Sequence, residues 1–138
     1  MRIQLVGKIP NIKTIIGNIQ VKRGQAFNQI ARIGKQDIKT ELRSPKSGEE
    51  KSARRVARYR KSPARRSAEG ESLARDTGRS EKLIASDKVG SRLDIGFLEA
   101  QDGNNYVAKW EPVRPTIKHS MNRTLPKIQA IMNEVFKL

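Results

Sequence analysis

The densest group of chemically active side chains in the sequence is a basic run between residues 51 and 66. Only Tyr59 is an aromatic residue there, so stacking on nucleic-acid bases is not the expected mode. A run with this charge and no acidic residue matches the electrostatic footprint of a phosphate backbone, and we expect contacts that do not depend on base sequence. A solvated linker is the alternative interpretation. The expected contact residues are Lys51, Arg54, Arg55, Arg58, Arg60, Lys61, Arg65 and Arg66.

A second pattern, Asp76-Thr77-Gly78, matches the triplet of aspartic proteases, in which two aspartates share a proton. A homodimer could bring two such aspartates together. However, Arg75 and Arg79 flank the triplet, and an adjacent arginine lowers the pKa of an aspartate and keeps it ionised. We therefore interpret the triplet as a turn, in which Asp76 caps the segment that follows and Gly78 supplies an unusual φ angle.

Other catalytic chemistry has little support in the sequence. The chain has no cysteine, which excludes disulfides, thiolate zinc sites and cysteine nucleophiles. His119 is the single histidine, and no acidic pair is near it in sequence to complete a triad or a metal site. No glycine-rich phosphate loop occurs. The sequence therefore predicts a protein that is not an enzyme, with no catalytic residues, no metal site and no cofactor.

The overall composition indicates one small domain with a thin core. The chain has 138 residues, of which 36% are hydrophobic and 4% aromatic, and its net charge is +15. Such a chain repels itself unless a polyanion or an acidic partner is near, and its stability often depends on assembly. No apolar run approaches the ~20 residues of a membrane span, and the first residues lack the apolar region of a signal peptide.

The first half of the chain contains one strong helical pattern. Residues 2–6 alternate like a short strand, and residues 11–20 carry isoleucines at helical spacing that Gly17 weakens. A helix is predicted over 24–43, ended by Ser44-Pro45. Gly34 in its stripe either permits close approach of a neighbour or softens the helix. Residues 44–75 are predicted to be an extended basic loop that becomes ordered in an assembly, with Ala53 to Arg60 turning helical on neutralisation. The apolar stripe of the helix comprises Phe27, Ile30, Ala31, Gly34, Ile38 and Leu42.

The second half predicts a hairpin and a C-terminal helix. The hairpin has strands at 81–86 and 92–98 and a turn at 87–90. A turn at 102–105 and one helical turn at 106–111 follow, with Tyr106, Val107 and Trp110 facing the core. Pro126 leaves two alternatives, a helix that begins near residue 124 or a longer one from 116 that kinks. Its apolar stripe is Met121, Leu125, Ile128, Met132 and Val135.

These elements define an α+β fold over residues 1–138, with a small antiparallel sheet packed against an N-terminal and a C-terminal helix and a long basic loop between them. The order of motifs from residue 63 onward resembles the neck and tail-completion proteins, or head–tail joining proteins, of tailed phages. The small-residue stretch before Thr77-Gly78, the hairpin, and a Tyr-to-Glu element followed by Arg-Pro and a long helix all occur in that order. The residues that carry the resemblance are Thr77, Gly78, Tyr106, Trp110, Glu111, Arg114 and Pro115.

The resemblance implies a structural virion protein that forms a homo-oligomeric ring, six- or twelve-fold, at the head–tail junction. Its neighbours would be connector or adaptor proteins and tail-tube proteins, with duplex DNA contacted through phosphates and no membrane. It would reside in the virion neck or tail, and in the host cytoplasm during assembly. The competing hypothesis is a sequence-independent nucleic-acid-binding protein of the ribosomal or nucleoid type, which the basic composition supports almost equally.

Overall fold

The computed structural model describes residues 11–97 and 111–137. Its first and longest element is the helix α1, Ile12–Arg43, which runs through Gly17 and Gly24 without a break. The sequence predicts a helix only over 24–43, so the true element begins twelve residues earlier than expected. The Asn11 side chain caps the new start by accepting a hydrogen bond from Lys13 N, which satisfies one of the free amides of the first turn.

α1 ends where the sequence predicts, at Ser44 before Pro45. The last carbonyl groups of a helix need partners from outside it. Here Ser44 N and Oγ and the Lys46 ammonium all donate to Glu41 O, and Arg75 N donates to Leu42 O. The end of α1 is therefore tied to the chain that follows it.

The C-terminal helix follows the longer of the two alternatives. It spans Thr116–Phe136, is named α3 here, and contains Pro126 in its interior. The expected stripe is only partly correct, because Met121 is 51% and Leu125 53% exposed. The face that packs on α1 is more polar than the sequence suggests. Its buried residues are Thr116, Ser120, Thr124 and Ile131.

The predicted hairpin forms with shifted boundaries. A short 3-10 helix, Glu81–Leu83, precedes β1, Ile84–Val89, which pairs antiparallel with β2, Arg92–Phe97. The turn is therefore at Gly90-Ser91 rather than at 87–90, and Gly90 has a φ of +58°. Both strands contact α1, so the α+β architecture of two long helices and a two-stranded sheet is confirmed.

Two apolar clusters form the core along one face of α1. Near its C-terminal end, Ile38 and Leu42 pack against Phe97 of β2. Nearer the middle, Ala26 and Ile30 pack against Ile131 of α3. Because later residues of α1 contact earlier residues of α3, the two helices run antiparallel. Gly34 accommodates a side chain, since a Cβ there would lie 2.9 Å from Ile95 Cδ1 of β2; of the two interpretations of this glycine, close approach of a neighbour applies.

The segment between α1 and the hairpin makes many contacts within the single chain. It contains the short helix α2, Ala53–Arg58, and an isolated β-bridge between Glu50 and Arg65. Further along, Gly70 N donates to Val113 O and Leu73 N to Thr116 Oγ1, which attaches the segment to the start of α3. The predictions for residues 2–6, 102–105 and 106–110, including Tyr106 and Trp110, lie outside the described residues, as does Leu98 at the end of the second strand.

Candidate polyanion-binding surface

The basic run lies on a loop that its own backbone closes. Gly48 N donates to Arg66 O, Lys51 N to Ala64 O and Arg66 N to Glu49 O, at 2.8–2.9 Å. A Cβ on Gly48 would lie 2.5 Å from Arg66 O, so the two arms of the loop approach each other closely. In sequence α2 lies between these arms, and it is capped by Ser52, whose side chain accepts from Arg55 N. The basic side chains therefore extend from a backbone that hydrogen bonds hold in place.

Three of the eight expected contact residues are bound to acidic groups of the chain itself. Arg55 donates to both carboxylate oxygens of Asp76, and Lys51 Nζ lies 3.6 Å from the same carboxylate. Lys51 also donates to Arg75 O at 3.1 Å, and only 4% of its side chain is exposed. Arg65 pairs with Glu50 at 2.7 Å. These three side chains help to hold the loop together.

The other five cations are exposed, and none forms an ion pair with a carboxylate of residues 11–97 or 111–137. The guanidinium of Arg58 lies over the ring of Tyr59, 5.5 Å from its centroid. Arg58 is exposed despite this contact. The five residues, called the free cations below, are Arg54, Arg58, Arg60, Lys61 and Arg66.

The aspartate of the Asp-Thr-Gly triplet is an ion-pair partner in the structure. The hydrogen bonds from Arg55 lower the pKa of Asp76, and they outweigh the opposing effect of burial with help from the charges of Arg55 and Lys51. Such a carboxylate stays ionised, as expected, although its main partner is Arg55 rather than a flanking arginine. Asp76 does not cap the next segment; Thr77 Oγ1 accepts from Arg79 N instead, and Gly78 has the predicted positive φ, +91°.

Three further motif residues lie at or just before the start of α3. Arg114-Pro115 immediately precedes the helix, and Glu111 Oε1 accepts from Ile117 N at 2.8 Å and from Lys118 N at 3.3 Å. Glu111 therefore caps a helix whose N-cap residue is proline and has no side-chain hydrogen bond of its own. Arg114 Nε donates to Ser67 Oγ at 3.1 Å, which brings this arginine next to the basic loop. His119, in the first turn of α3, has Nε2 2.9 Å from Gly70 O.

A polar network between α1 and α3 was not anticipated from the sequence. Thr124 Oγ1 donates to Asp37 at 2.8 Å and Lys127 Nζ donates to the same carboxylate at 2.6 Å. Glu41 accepts from Ser72 at 2.6 Å and pairs with Arg123. Burial by itself raises the pKa of Glu41, but these hydrogen bonds and the neighbouring positive charges lower it overall. The only available signal was that Asp37 and Glu41 lie four residues apart, within the apolar stripe.

A different surface is formed by the first turns of α1. Ile12, Ile15, Ile16 and Ile19 lie within about 100° of one another on the helix, and their exposures are 72%, 41%, 49% and 52%. This isoleucine face continues the stripe that is covered further along by α3 and β2. Singly exposed apolar residues are common, whereas a contiguous exposed apolar face is typical of interaction surfaces.

Within the described residues no three potential metal ligands cluster, and none of the helices there has the length and apolar character needed to cross a bilayer. Comparisons of the chain with models of protein families, with curated proteins and with solved structures found no match.

Proposed function

We propose that this protein is a structural subunit of a phage head–tail junction, a neck or tail-completion protein that assembles into a homo-oligomeric ring and contacts DNA through phosphates. The order of its elements supports the proposal. A helix, a basic loop, Thr77-Gly78 before a hairpin, and Arg114-Pro115 before a long helix follow one another as in the family that the sequence resembles.

The isoleucine face is the observation that carries the assembly part of the proposal. α3 ends at Phe136, beside the cluster around Ala26 and Ile30, so the first turns of α1 extend beyond it. The extension from Ile12 to Lys22 is roughly 17 Å long. When a neighbouring subunit covers these four exposed isoleucines, apolar surface is removed from water, and this stabilises the assembly.

Substituting one residue of the isoleucine face tests this assembly. Ile16→Asp places a charge in the centre of the face. In light scattering and negative-stain images we expect the purified wild-type protein to form rings and the variant to be monomeric. Val21→Asp is the matched control, because Val21 is 62% exposed and lies on the opposite side of the same helix. Equal behaviour of the two variants, or a wild-type protein that is monomeric and absent from virions, contradicts the proposal.

The free cations favour a second candidate, a sequence-independent nucleic-acid-binding protein that is not a virion component. Five exposed positive charges without ion pairs in the described part of the chain would release counterions from a duplex on binding. This candidate predicts that the isolated monomer binds DNA with a steep dependence on salt. The junction protein is distinguished from it by incorporation into virions and by loss of assembly in Ile16→Asp.

A further inference from the structure

A pocket beside α2 brings together cations of the basic loop and an arginine that precedes α3. Its volume is about 440 Å³, and in the part of the chain that the structure describes its charged lining residues are Lys51, Arg55, Arg66 and Arg114, with Asp76 as the one carboxylate. The formal charge of this lining is therefore +3. Arg114 lies 48 residues from Arg66 in sequence, so only the folded chain concentrates this charge. The pocket is distinct from the open surface that carries Arg60 and Lys61.

The four cations differ in how far the protein itself satisfies them. Asp76 binds Arg55 and lies 3.6 Å from Lys51 Nζ. Arg66 and Arg114 form no ion pair with any carboxylate in the described ranges. Arg114 uses Nε for Ser67 Oγ and Nη1 for Val113 O. Its guanidinium is thus oriented, while further N–H groups remain for a ligand.

Ser67, which also lines the pocket, adds a hydroxyl donor. Its Oγ accepts the hydrogen bond from Arg114, and among the described residues no acceptor receives the Ser67 hydroxyl proton. The backbone around it is held in place, because Ala68 N donates to Glu71 Oε2 and Gly70 N to Val113 O. An oxyanion in the pocket would accept from this hydroxyl as well as from the guanidinium groups.

We propose that this pocket, lined by Arg66, Arg114, Ser67 and the Lys51–Arg55–Asp76 cluster, binds a phosphate group. Planar guanidinium groups match the geometry of phosphate oxygens, and several converge here. The Asp76 carboxylate offsets part of the mutual repulsion among the pocket cations, and it also competes with an incoming anion. The inference deepens the proposed function, because it names one oriented phosphate site within a surface that otherwise acts through diffuse charge.

The ligand can be a phosphodiester of nucleic acid or a free phosphate group, and the experiment separates the two. Binding of inorganic phosphate and of a short duplex DNA to the full chain is measured at constant ionic strength. Arg114→Ala and Arg66→Ala each remove one pocket cation, and Arg60→Ala, with an exposed cation outside the pocket, is the charge-matched control. We expect the pocket variants to bind inorganic phosphate about tenfold more weakly than the control variant.

Asp76→Asn provides a change in the opposite direction, which a folding defect cannot imitate. It removes the competing carboxylate, while its amide oxygen can still accept from Arg55, so phosphate binding should tighten several-fold. Equal losses in Arg114→Ala, Arg66→Ala and Arg60→Ala, or an unchanged affinity in Asp76→Asn, overturn the pocket. If DNA displaces phosphate and shows the same excess loss, the ligand is a nucleic-acid phosphate. If DNA does not displace phosphate, the ligand is a free phosphate group.

These outcomes are independent of the test of the junction. Loss of rings in Ile16→Asp concerns α1, which lies outside the pocket. A chain that forms no ring but binds phosphate in the expected order of variants refutes the junction and keeps the pocket. Ring formation together with equal phosphate binding in all variants supports the junction and refutes the phosphate-binding pocket.

Discussion

The two halves of α1 have the same sequence pattern and opposite environments. From Ile12 to Ile19 the apolar side chains are exposed, whereas from Ala26 to Leu42 the same side of the helix is buried under α3 and β2. Helical periodicity is present in both. The difference arises because α3 ends beside the middle of α1, so that within residues 11–97 and 111–137 α3 and β2 cover only the second half. Periodicity therefore identifies a face that can be buried, and the length of the neighbouring element decides whether it is.

The largest expected contrast between the halves concerns truncation of one apolar side chain. Leu42 is fully buried, so Leu42→Ala removes core contacts and leaves a cavity, at a cost of about 2–5 kcal/mol in the free energy of unfolding. Ile16→Ala should change it by less than about 0.5 kcal/mol in the monomer. Urea denaturation at a concentration where the protein is monomeric measures both. A similar loss in the two variants would mean that the first half is covered within a single chain.

The next contrast is electrostatic. The buried half of α1, from Ala26 to Leu42, carries Asp37 and Glu41, while the exposed half from Ile12 to Ile19 contains no acidic residue. Glu41→Gln weakens the contacts to Ser72 and Arg123 and should cost roughly 1–3 kcal/mol at neutral pH. The free energy of unfolding is measured first at neutral pH. Glu134→Gln, at an exposed position on α3, is the control that removes the same charge.

The pH dependence of this contrast has a definite sign. Since the folded-state pKa of Glu41 lies below its ordinary value, the ionised form stabilises the fold at any pH above the unfolded pKa of about 4.3. That contribution is lost as the pH falls through the folded pKa. Repeated at acidic pH, the difference between wild type and Glu41→Gln should shrink. A difference that grows with acidification would contradict the assignment.

The smallest contrast uses the same substitution at two glycines of one helix. A Cβ at Gly17 meets nothing within 4 Å, so Gly17→Ala should stabilise the protein by roughly 0.5–1 kcal/mol through helix propensity. At Gly34 the new Cβ would lie 2.9 Å from Ile95 Cδ1, and displacing that side chain should make Gly34→Ala destabilising by roughly 1 kcal/mol. Thermal unfolding of both variants checks the opposite signs. Two stabilising substitutions would show that Ile95 repacks at little cost.

Much of the fold follows from local patterns. The end of α1 at Ser44-Pro45, the hairpin pairing and the presence of a C-terminal helix were predicted because proline, alternation and helical spacing act within a few residues. The boundaries that were wrong involve context. Gly17 lowers helix propensity by only about 1 kcal/mol, which the rest of a 32-residue helix offsets. The hairpin turn moved to Gly90-Ser91, where a glycine supplies a positive φ.

The candidate site was only partly predictable for the same reason. The sequence located a run of eight cations, but it did not separate those that bind Asp76 and Glu50 from those that remain free. Nor did it indicate that Arg114 lies in the same pocket as Arg66, since charge along a chain carries no information about which distant groups meet. The polar contacts between α1 and α3 were not predicted. The positions of buried polar residues depend on where their hydrogen-bond partners lie, and hydrophobic periodicity does not reveal this.

By itself the sequence determined the excess of positive charge, its concentration between residues 51 and 66, and the apolar periodicity of two long helices. These are properties of composition and spacing, which folding cannot change. The tertiary structure alone decided which cations are neutralised, which apolar turns of α1 are covered, and which remote residues line one pocket. Each of these depends on distances of a few ångströms between groups far apart in the chain, and only packing sets such distances.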